Sequence, residues 1–250
     1  AGDLAARVET LVGPLGIAEA IRELDKQMPR EEMALKLVEM IVDGKFGKLS
    51  EQEAAQQAIR TALAVLTEGI VIAPLEGITH VEIRKNFDGS PYLALYFASP
   101  IRAAGGTAAA LAVLAGDFVR RRLYLSPYKP DEKEIERFAE EVEIYRTSIA
   151  HEQYAPPRDD IMFALQNLPV EITGEPTEQD IAVTAFRDLE RIGHNLVRGG
   201  AVLALVEGVM QKAPKIMKHV NKLNIDGWGW LSDLISKVPA ADESAPVFPK

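Results

Sequence analysis

The stretch YLALYFASPIRAAGGTAAALAVLAGDFVRRR, residues 92–122, decides the fold. It begins as a segment of β-forming residues that is apolar almost throughout, which predicts a central strand covered on both faces. The strand stops at Ser99-Pro100, and Gly105-Gly106-Thr107 then opens a helix of small residues. A glycine pair at a helix start exposes backbone N–H groups where the helix dipole adds positive charge. This junction therefore suits an anion such as phosphate.

The residues around this stretch predict further strands. Residues 79–85 alternate between apolar and polar side chains, and Asp88-Gly89 is a strong hairpin signal, so 79–85 and 92–98 form an antiparallel pair. A short β-rich run lies at 70–73, and LPVEIT at 168–173 adds a candidate strand. We therefore predict an α+β, helix-rich fold with a small, mostly antiparallel sheet of three to four strands.

Most of the rest of the chain shows helical periodicity, and we divide the whole chain into three parts. Apolar residues at helical spacing predict four helices before residue 68, the last of them capped by Ser50 with Glu53 three residues on. We assign 1–68 to an N-terminal helical segment, 69–238 to an α+β core with the hairpin and the Gly-Gly helices, and 239–250 to a linker. The chain lacks an initiator methionine and ends in linker-like composition, so we expect a fragment of a longer polypeptide with further domains downstream.

Composition limits the classes of function. The formal net charge is −9, so contact with an acidic polymer must come from local basic patches. The chain has no cysteine, which excludes disulfides and thiolate metal sites and suits a reducing compartment. No apolar run approaches the ~20 residues of a membrane span, and no signal segment is present. These observations predict a cytoplasmic protein without a membrane partner.

Two glycine pairs and one basic run are candidate phosphate contacts, and each has a structural alternative. Gly105, Gly106 and Thr107 form either a phosphate nest with Arg102 as a clamp, or a close-packed helix start in which Thr107 is the N-cap. The pair Gly199-Gly200, preceded by Arg198, has the same two interpretations. The run Arg120–Arg122 either stabilises the C-terminus of its helix or contacts a phosphate backbone.

A lysine face on a later helix is the more specific basic feature. At 100° per residue over 214–223, Lys215, Lys218, His219 and Lys222 share one arc, and Lys212 joins them if the helix continues through. No acid is interleaved, so the lysines repel one another and an acidic partner would relieve that repulsion. A merely solvated face is the alternative.

Catalytic signals are missing from the sequence. The four histidines are scattered without ligand spacing, and no nucleophile or carboxylate pair for magnesium stands out. The pattern of residues 131–149 predicts an amphipathic helix. We interpret its acidic residues as a solvent-exposed face, formed by Glu132, Glu136, Glu140, Glu141 and Glu143. We assign no catalytic residue, no metal site and no cofactor to this chain.

Nine short blocks, taken in order, carry a resemblance. They are AARVETLVGP at 5–14, GKFG at 44–47, TEGIVIAPLEGI at 67–78, residues 96–119, YKP at 128–130, GEPTE at 174–178, NLVRGG at 195–200, KAPKI at 212–216 and DGWGWL at 226–231. The ordered set resembles the N-terminal region of the large subunit of archaeal family D DNA polymerases and covers nearly all of residues 3–235. Leu196 stands where an arginine often accompanies the family's Asn-x-Val-Arg-Gly-Gly block.

The resemblance implies a replicative DNA polymerase built from a large catalytic subunit and a small subunit with 3′–5′ exonuclease activity. In that family the synthesis site, its magnesium and the zinc modules lie further along the large subunit. The family's N-terminal region is associated with subunit assembly and DNA binding, so the implied partners are DNA and the small exonuclease subunit. Self-association is a separate candidate interaction.

We expect a non-catalytic N-terminal module that contacts the DNA backbone through one set of basic residues, namely Arg102, Arg120, Arg121, Arg122, Arg198, Lys212, Lys215, Lys218 and Lys222. Gly105, Gly106, Thr107, Gly199 and Gly200 are the predicted phosphate nests. The rival hypothesis is a pure interaction module for subunit assembly or dimerisation with no DNA contact. A third is a small-molecule enzyme that uses the Gly105-Gly106 nest, which requires a sizeable pocket at residues 102–107.

Overall fold

A computed structural model describes residues 3–68, 73–150, 154–177 and 179–236, and these form ten α-helices and three strands. The first four helices are α1 (Leu4–Leu11), α2 (Ile17–Asp25), α3 (Arg30–Val42) and α4 (Glu51–Leu66), followed by a π-helical turn at Ala73–Gly77. Next come β1 (Ile78–Lys85), β2 (Pro91–Phe97), a 3₁₀ turn (Ser99–Ala104), α5 (Gly106–Arg122), α6 (Glu132–Ser148), α7 (Arg158–Asn167) and β3 (Glu171–Gly174). The chain continues through α8 (Gly199–Leu203), a π-helical segment (Ala204–Met210), α9 (Ala213–Lys222) and α10 (Leu231–Ile235).

The sheet confirms the helix-rich α+β prediction and adds a parallel pair to it. Its order is β1-β2-β3, with β1 antiparallel to β2 and β3 parallel to β2. The 168–173 segment therefore supplies a strand, and β2 is central, as predicted. Of the predicted run at 70–73, only Ala73 lies within the described residues, and it begins the π-helical turn.

Alternation along β2 separates two chemically different faces of the sheet. Leu93, Leu95 and Phe97 belong to the large apolar core that also contains α5, whereas Tyr92 and Tyr96 project to the other face. Gly116 of α5 faces Leu95, since an added Cβ there would lie 2.9 Å from that side chain. The small residues of α5 thus let the helix pack closely against β2.

One continuous cluster of buried apolar side chains joins the first four helices to the rest of the fold. It includes Leu37 of α3, Leu63 of α4, Leu111 of α5 and Val206 of the π-helical segment, all fully buried. The division at residues 68/69 stays a prediction, and the predicted linker at 239–250 lies outside the described residues.

The acidic face predicted on α6 is wrong for two of its glutamates. Glu141 is buried and pairs with Arg198, whose Nε lies 2.9 Å from Oε1. Glu140 accepts hydrogen bonds from backbone N–H groups of the 184–186 loop, including Thr184 at 2.9 Å. Both carboxylates turn toward a segment far along the chain, which helical periodicity alone does not reveal.

Candidate nucleic-acid interface

The arginine run at the end of α5 is tied into the fold by carboxylates. Asp117, fully buried one turn earlier, accepts from Arg120 Nε at 2.7 Å and Arg121 Nε at 3.0 Å. Arg121 also pairs with Asp226, and Arg122 Nη2 lies 2.7 Å from an Asp43 oxygen at the end of α3. A phosphate would have to compete with these internal partners for all three guanidinium groups.

Trp228 completes the cluster around Asp117. Its indole Nε1 donates to Asp117 Oδ2 at 2.8 Å, and its ring is buried beside that of Trp230. The same carboxylate therefore holds the end of α5 to the loop that follows α9. Sequence reasoning treated the arginines and the tryptophans separately because Asp117 and Trp228 are 111 positions apart in the sequence.

Arg198 is a buried structural residue in this fold. Its side chain is 2% exposed, forms several bonds to the Glu141 carboxylate, and donates from Nη1 to Thr173 Oγ1 at 2.9 Å. Burial disfavours the charged form, but Glu141 more than offsets that and raises the pKa of Arg198. The guanidinium is not presented to a phosphate at the surface, so Arg198 does not belong to a DNA face in this structure.

The two glycine pairs allow close backbone approach. A Cβ on Gly106 would lie 2.4 Å from the backbone oxygen of Glu207, and one on Gly200 would lie 2.5–2.7 Å from backbone atoms of Ala98. Ordinary side-chain contacts begin near 3.4 Å. Gly105 occupies the N-cap position with φ of +83°, so Thr107 lies inside α5 and the alternative that made it the cap is wrong. Of the two interpretations, these contacts directly support close packing.

Gly199 is enclosed in the same way. An added Cβ would lie 2.5 Å from Thr177 Cγ2 and 3.0 Å from the Tyr145 ring. This crowding places the start of α8 inside the molecule, between α6 and the loop after β3. The nest role of the two glycine pairs remains an untested prediction.

The lysine face of α9 is the most accessible of the predicted basic features. Lys215, Lys218 and Lys222 are exposed and Lys212 is half-buried, on a helix whose opposite side buries Ile216 and Val220. The helix begins and ends within one residue of the predicted bounds. The predicted arc therefore exists as a surface, here called the α9 lysine face (Lys212, Lys215, Lys218 and Lys222).

Two glutamates of α3 neutralise part of the α9 lysine face. Lys215 Nζ lies 3.4 Å from Glu31, and Lys222 pairs with Glu32. Glu31 also lies 2.6 Å from Nε2 of His219, which is buried although the periodicity places it with the lysines. Burial raises the pKa of Glu31, but its bonds to His219 and Lys215 outweigh that and leave the pKa below its usual value.

Lys212 and Lys218 keep the positive charge of this face. Neither has a carboxylate within 4 Å in the part of the chain that the structure describes. Glu31 is 184 positions from Lys215 and Glu32 is 190 positions from Lys222, so a search of the helix alone misses these acids. The repulsion argument for an external polyanion is weaker than the sequence suggested, and it now applies to two lysines.

Arg102 stands apart from the other predicted contacts. Its side chain is exposed, and Nη2 donates to the Tyr145 hydroxyl at 2.7 Å. It lines a cavity of about 200 Å³ whose walls do not include Gly105, Gly106 or Thr107. The sizeable pocket that the small-molecule hypothesis required exists beside Arg102, but the predicted nest does not form its wall.

A buried polar layer on the second face of the sheet escaped the sequence analysis. Glu171 of β3 is fully buried, accepts from the Tyr92 hydroxyl at 2.9 Å and lies 3.4 Å from Arg84 Nη1. Burial raises its pKa above the usual range. The one available signal was the alternation of tyrosines with leucines along β2, which marks a face that is neither apolar nor solvated.

A second cavity, of about 280 Å³, opens beside this layer between Arg84, Tyr96, Glu175, Arg191 and His194. Across the described ranges, no group of three or more histidines and carboxylates is placed to hold a metal ion. No helix there is both long and apolar enough to cross a membrane.

Comparison with known proteins decides the family. The family model described as DNA polymerase II large subunit DP2, N-terminal, matches residues 1–237. This chain belongs to that family. The DNA polymerase II large subunit of Methanococcus vannielii is 54% identical over 243 residues, which are 97% of this chain and 21% of that protein. Those of Pyrococcus furiosus and Thermococcus kodakarensis are each 52% identical, over 97% and 94% of the chain.

The family resemblance inferred from the nine blocks is therefore confirmed. The chain spans 13–21% of the length of these DNA polymerase II large subunits, so it corresponds to one region of a much longer relative. Within that region, Arg198 and Arg120 pair with the buried carboxylates Glu141 and Asp117. Arg122 is exposed but pairs with Asp43, and the α9 lysine face and Arg102 also lie at the surface.

Proposed function

We propose that this chain is the N-terminal assembly and DNA-binding module of the large subunit of an archaeal replicative DNA polymerase. The module itself transfers no nucleotide. Template-directed synthesis, with its magnesium, belongs to other domains of the whole cytoplasmic enzyme, and a small subunit supplies the 3′–5′ exonuclease. The support is the family match over residues 1–237 together with the resemblance of the nine ordered blocks.

The α9 lysine face is the observation that carries the DNA-binding part of the proposal. Three of its lysines are exposed on one side of a ten-residue helix, and Lys218 has no carboxylate partner among the described residues. Lysines in such a row contact successive phosphates and release their counterions, which needs no base-specific geometry. We place the centre of the DNA contact at Lys218, since no carboxylate of the described residues pairs with it.

A charge reversal at Lys218 tests this assignment. Lys218→Glu should weaken binding of the chain to primer-template DNA and lower the slope of log K against log salt by roughly 0.7–0.9 for each phosphate that the variant no longer neutralises. The measurement is fluorescence anisotropy at several salt concentrations. Lys133→Glu, an equal charge change at an exposed residue of α6, is the matched control.

Equal weakening in both variants would show that only the net charge matters, and unchanged binding in both would remove DNA from this face. Lys218 is preferred to Lys215 and Lys222 because reversing those two would place an acid beside Glu31 and Glu32. A change in binding at those positions would combine a weaker attraction for DNA with a disturbed packing of α9 on α3.

The second candidate function is an assembly module that never touches DNA. Internal pairing of Arg120–Arg122 favours it, as does the exposure of two leucines: Leu11 at the end of α1 is 45% exposed and Leu15 is 85% exposed. Light scattering of the chain alone and with the small subunit tests it. A complex that forms while DNA binding stays undetectable at low salt would select this alternative.

A further inference from the structure

The cavity beside Arg102 lies past the ends of two neighbouring parallel strands. β2 ends at Phe97 and leads into Ser99 and Arg102, whereas β3 ends at Gly174 and leads to Thr177 and Gln179. In open sheets, ligands commonly bind in the crevice outside the carboxyl ends of parallel strands, where the connections that follow the two strands diverge. The fold therefore brings two separate segments to one concave site.

The walls of this cavity contain hydrogen-bond donors and no described carboxylate. Its volume is about 200 Å³, and the lining residues are Ser99, Arg102, Tyr145, Ile149, Ala150, Thr177, Gln179 and Leu203. The lining residues thus carry one cation, two aliphatic hydroxyls, a phenol and a carboxamide around a space of several water volumes. This donor set matches an oxyanion.

Arg102 is held in place without being neutralised. The other arginines that the sequence singled out (Arg120, Arg121, Arg122 and Arg198) each pair with a carboxylate. Arg102 bonds instead to the neutral Tyr145 hydroxyl of α6, and it has no carboxylate within 4 Å among the described residues. A guanidinium has five N–H donors, so this one bond fixes its direction and leaves donors for a ligand.

Thr177 adds an independent observation. Its side chain is 3% exposed, and its hydroxyl has no hydrogen-bond partner within the ranges that the structure describes. A buried hydroxyl without a partner destabilises a fold, because the bonds that it made to water are lost. Because Thr177 also lines the cavity, a bound ligand whose oxygen reaches this hydroxyl would supply the missing partner.

We infer that this cavity binds a phosphate group, with Arg102 as the charged clamp and Ser99 and Thr177 as hydroxyl donors. A phosphate has several acceptor oxygens arranged tetrahedrally, so it can accept from separate segments at once, and its bond to the guanidinium is charge-assisted. Inorganic phosphate and the 5′-phosphate of a nucleotide share this chemistry. The site is distinct from the α9 lysine face and does not depend on DNA binding there.

Calorimetric titration of the chain tests the site. The ligands are inorganic phosphate, a deoxynucleoside 5′-monophosphate and the corresponding deoxynucleoside without phosphate. We expect Arg102→Gln to weaken phosphate binding at least tenfold. Arg158→Gln, which removes an equal charge from an exposed position of α7, should leave it unchanged.

Thr177→Val provides a second variant that keeps the shape of the side chain. It should weaken phosphate binding several-fold and leave the melting temperature equal or higher, because the hydroxyl has no described partner in the fold. Opposite signs for binding and stability would not arise from simple misfolding. The deoxynucleoside should not bind, and a monophosphate that binds more tightly than inorganic phosphate would identify a nucleotide as the source.

Three results would overturn the inference: no titratable heat with either phosphate ligand, equal weakening in the Arg102 and Arg158 variants, or equal binding of the deoxynucleoside and its monophosphate. None of them bears on Lys218, so failure here is separable from failure of the proposed DNA contact.

Discussion

An alanine at Gly200 should measurably destabilise the chain. The added Cβ would lie 2.5 Å from the carbonyl carbon of Ala98 and 2.6 Å from its nitrogen, about 0.9 Å inside the 3.4 Å at which ordinary contacts begin. Backbone atoms cannot rotate away as a side chain can, so α8 or the end of β2 must shift. Overpacking of this kind costs roughly 1–3 kcal/mol.

The helical position of Gly200 partly offsets that cost. Alanine is favoured over glycine inside a helix by about 0.5–1 kcal/mol, so a net loss of about 2 kcal/mol is expected from a clash at the upper end of the range. Urea unfolding followed by circular dichroism gives the free energy of unfolding. Gly193→Ala is the matched control, since nothing lies within 4 Å of its added Cβ and its φ is not positive.

The same experiment separates the two interpretations of the glycine pair. An alanine keeps the backbone N–H, so a glycine used only to present that group to an anion should accept the substitution with little change in stability. If Gly200→Ala and Gly193→Ala both stay within about 0.5 kcal/mol of the parent chain, close packing is not the reason for the glycine.

Two further predictions follow from the charged contacts. Asp117→Asn should lower the free energy of unfolding by about 3 kcal/mol, since it leaves two arginines without their buried partner. It should also change the fluorescence of Trp228, which donates a hydrogen bond to Asp117. An unchanged midpoint of urea unfolding would contradict the predicted loss of stability. The pKa of Glu31 is lower in the folded chain than its ordinary 4.5, so its stabilising contribution is complete above that pH and disappears as the pH falls below it. Glu31→Gln should therefore reduce stability at neutral pH and make stability fall less steeply as the pH is lowered. Thermal melts between pH 3 and pH 7 measure this. A fall in stability as steep as that of the parent chain would refute the assignment.

Local signals in the sequence predicted the elements that depend on neighbouring residues. Ser50 caps α4 by accepting from the Glu53 N–H at 3.2 Å, and Gly89 occupies the hairpin with φ of +87°. β2 is the central strand of the sheet, as its nearly continuous run of β-forming residues predicted. Each of these depends on residues within one turn or one strand, which is the range that periodicity and capping describe.

The partners of charged side chains depend on chain topology and could not be predicted. From the sequence, Arg198 was predicted to be a surface residue beside a glycine pair. In the structure it forms hydrogen bonds with Glu141, which lies 57 positions earlier in the sequence. A helical projection of α9 shows only its own residues, so it predicted lysines that repel one another and omitted the glutamates of α3. The parallel pairing of β3 was missed for the same reason, since three α-helices (α5, α6 and α7) lie between β3 and its partner β2 in the sequence.

That parallel pairing also governs how the chain is made. β2 is complete at Phe97, but its second neighbour ends at Gly174, about 77 residues later. At 5–20 residues per second, the ribosome leaves one edge of an apolar strand without its backbone partners for roughly 4–15 s. Exposed edges of this kind pair with other chains. Between the synthesis of β2 and the synthesis of β3, the nascent polypeptide therefore carries an unpaired strand edge at which it can aggregate.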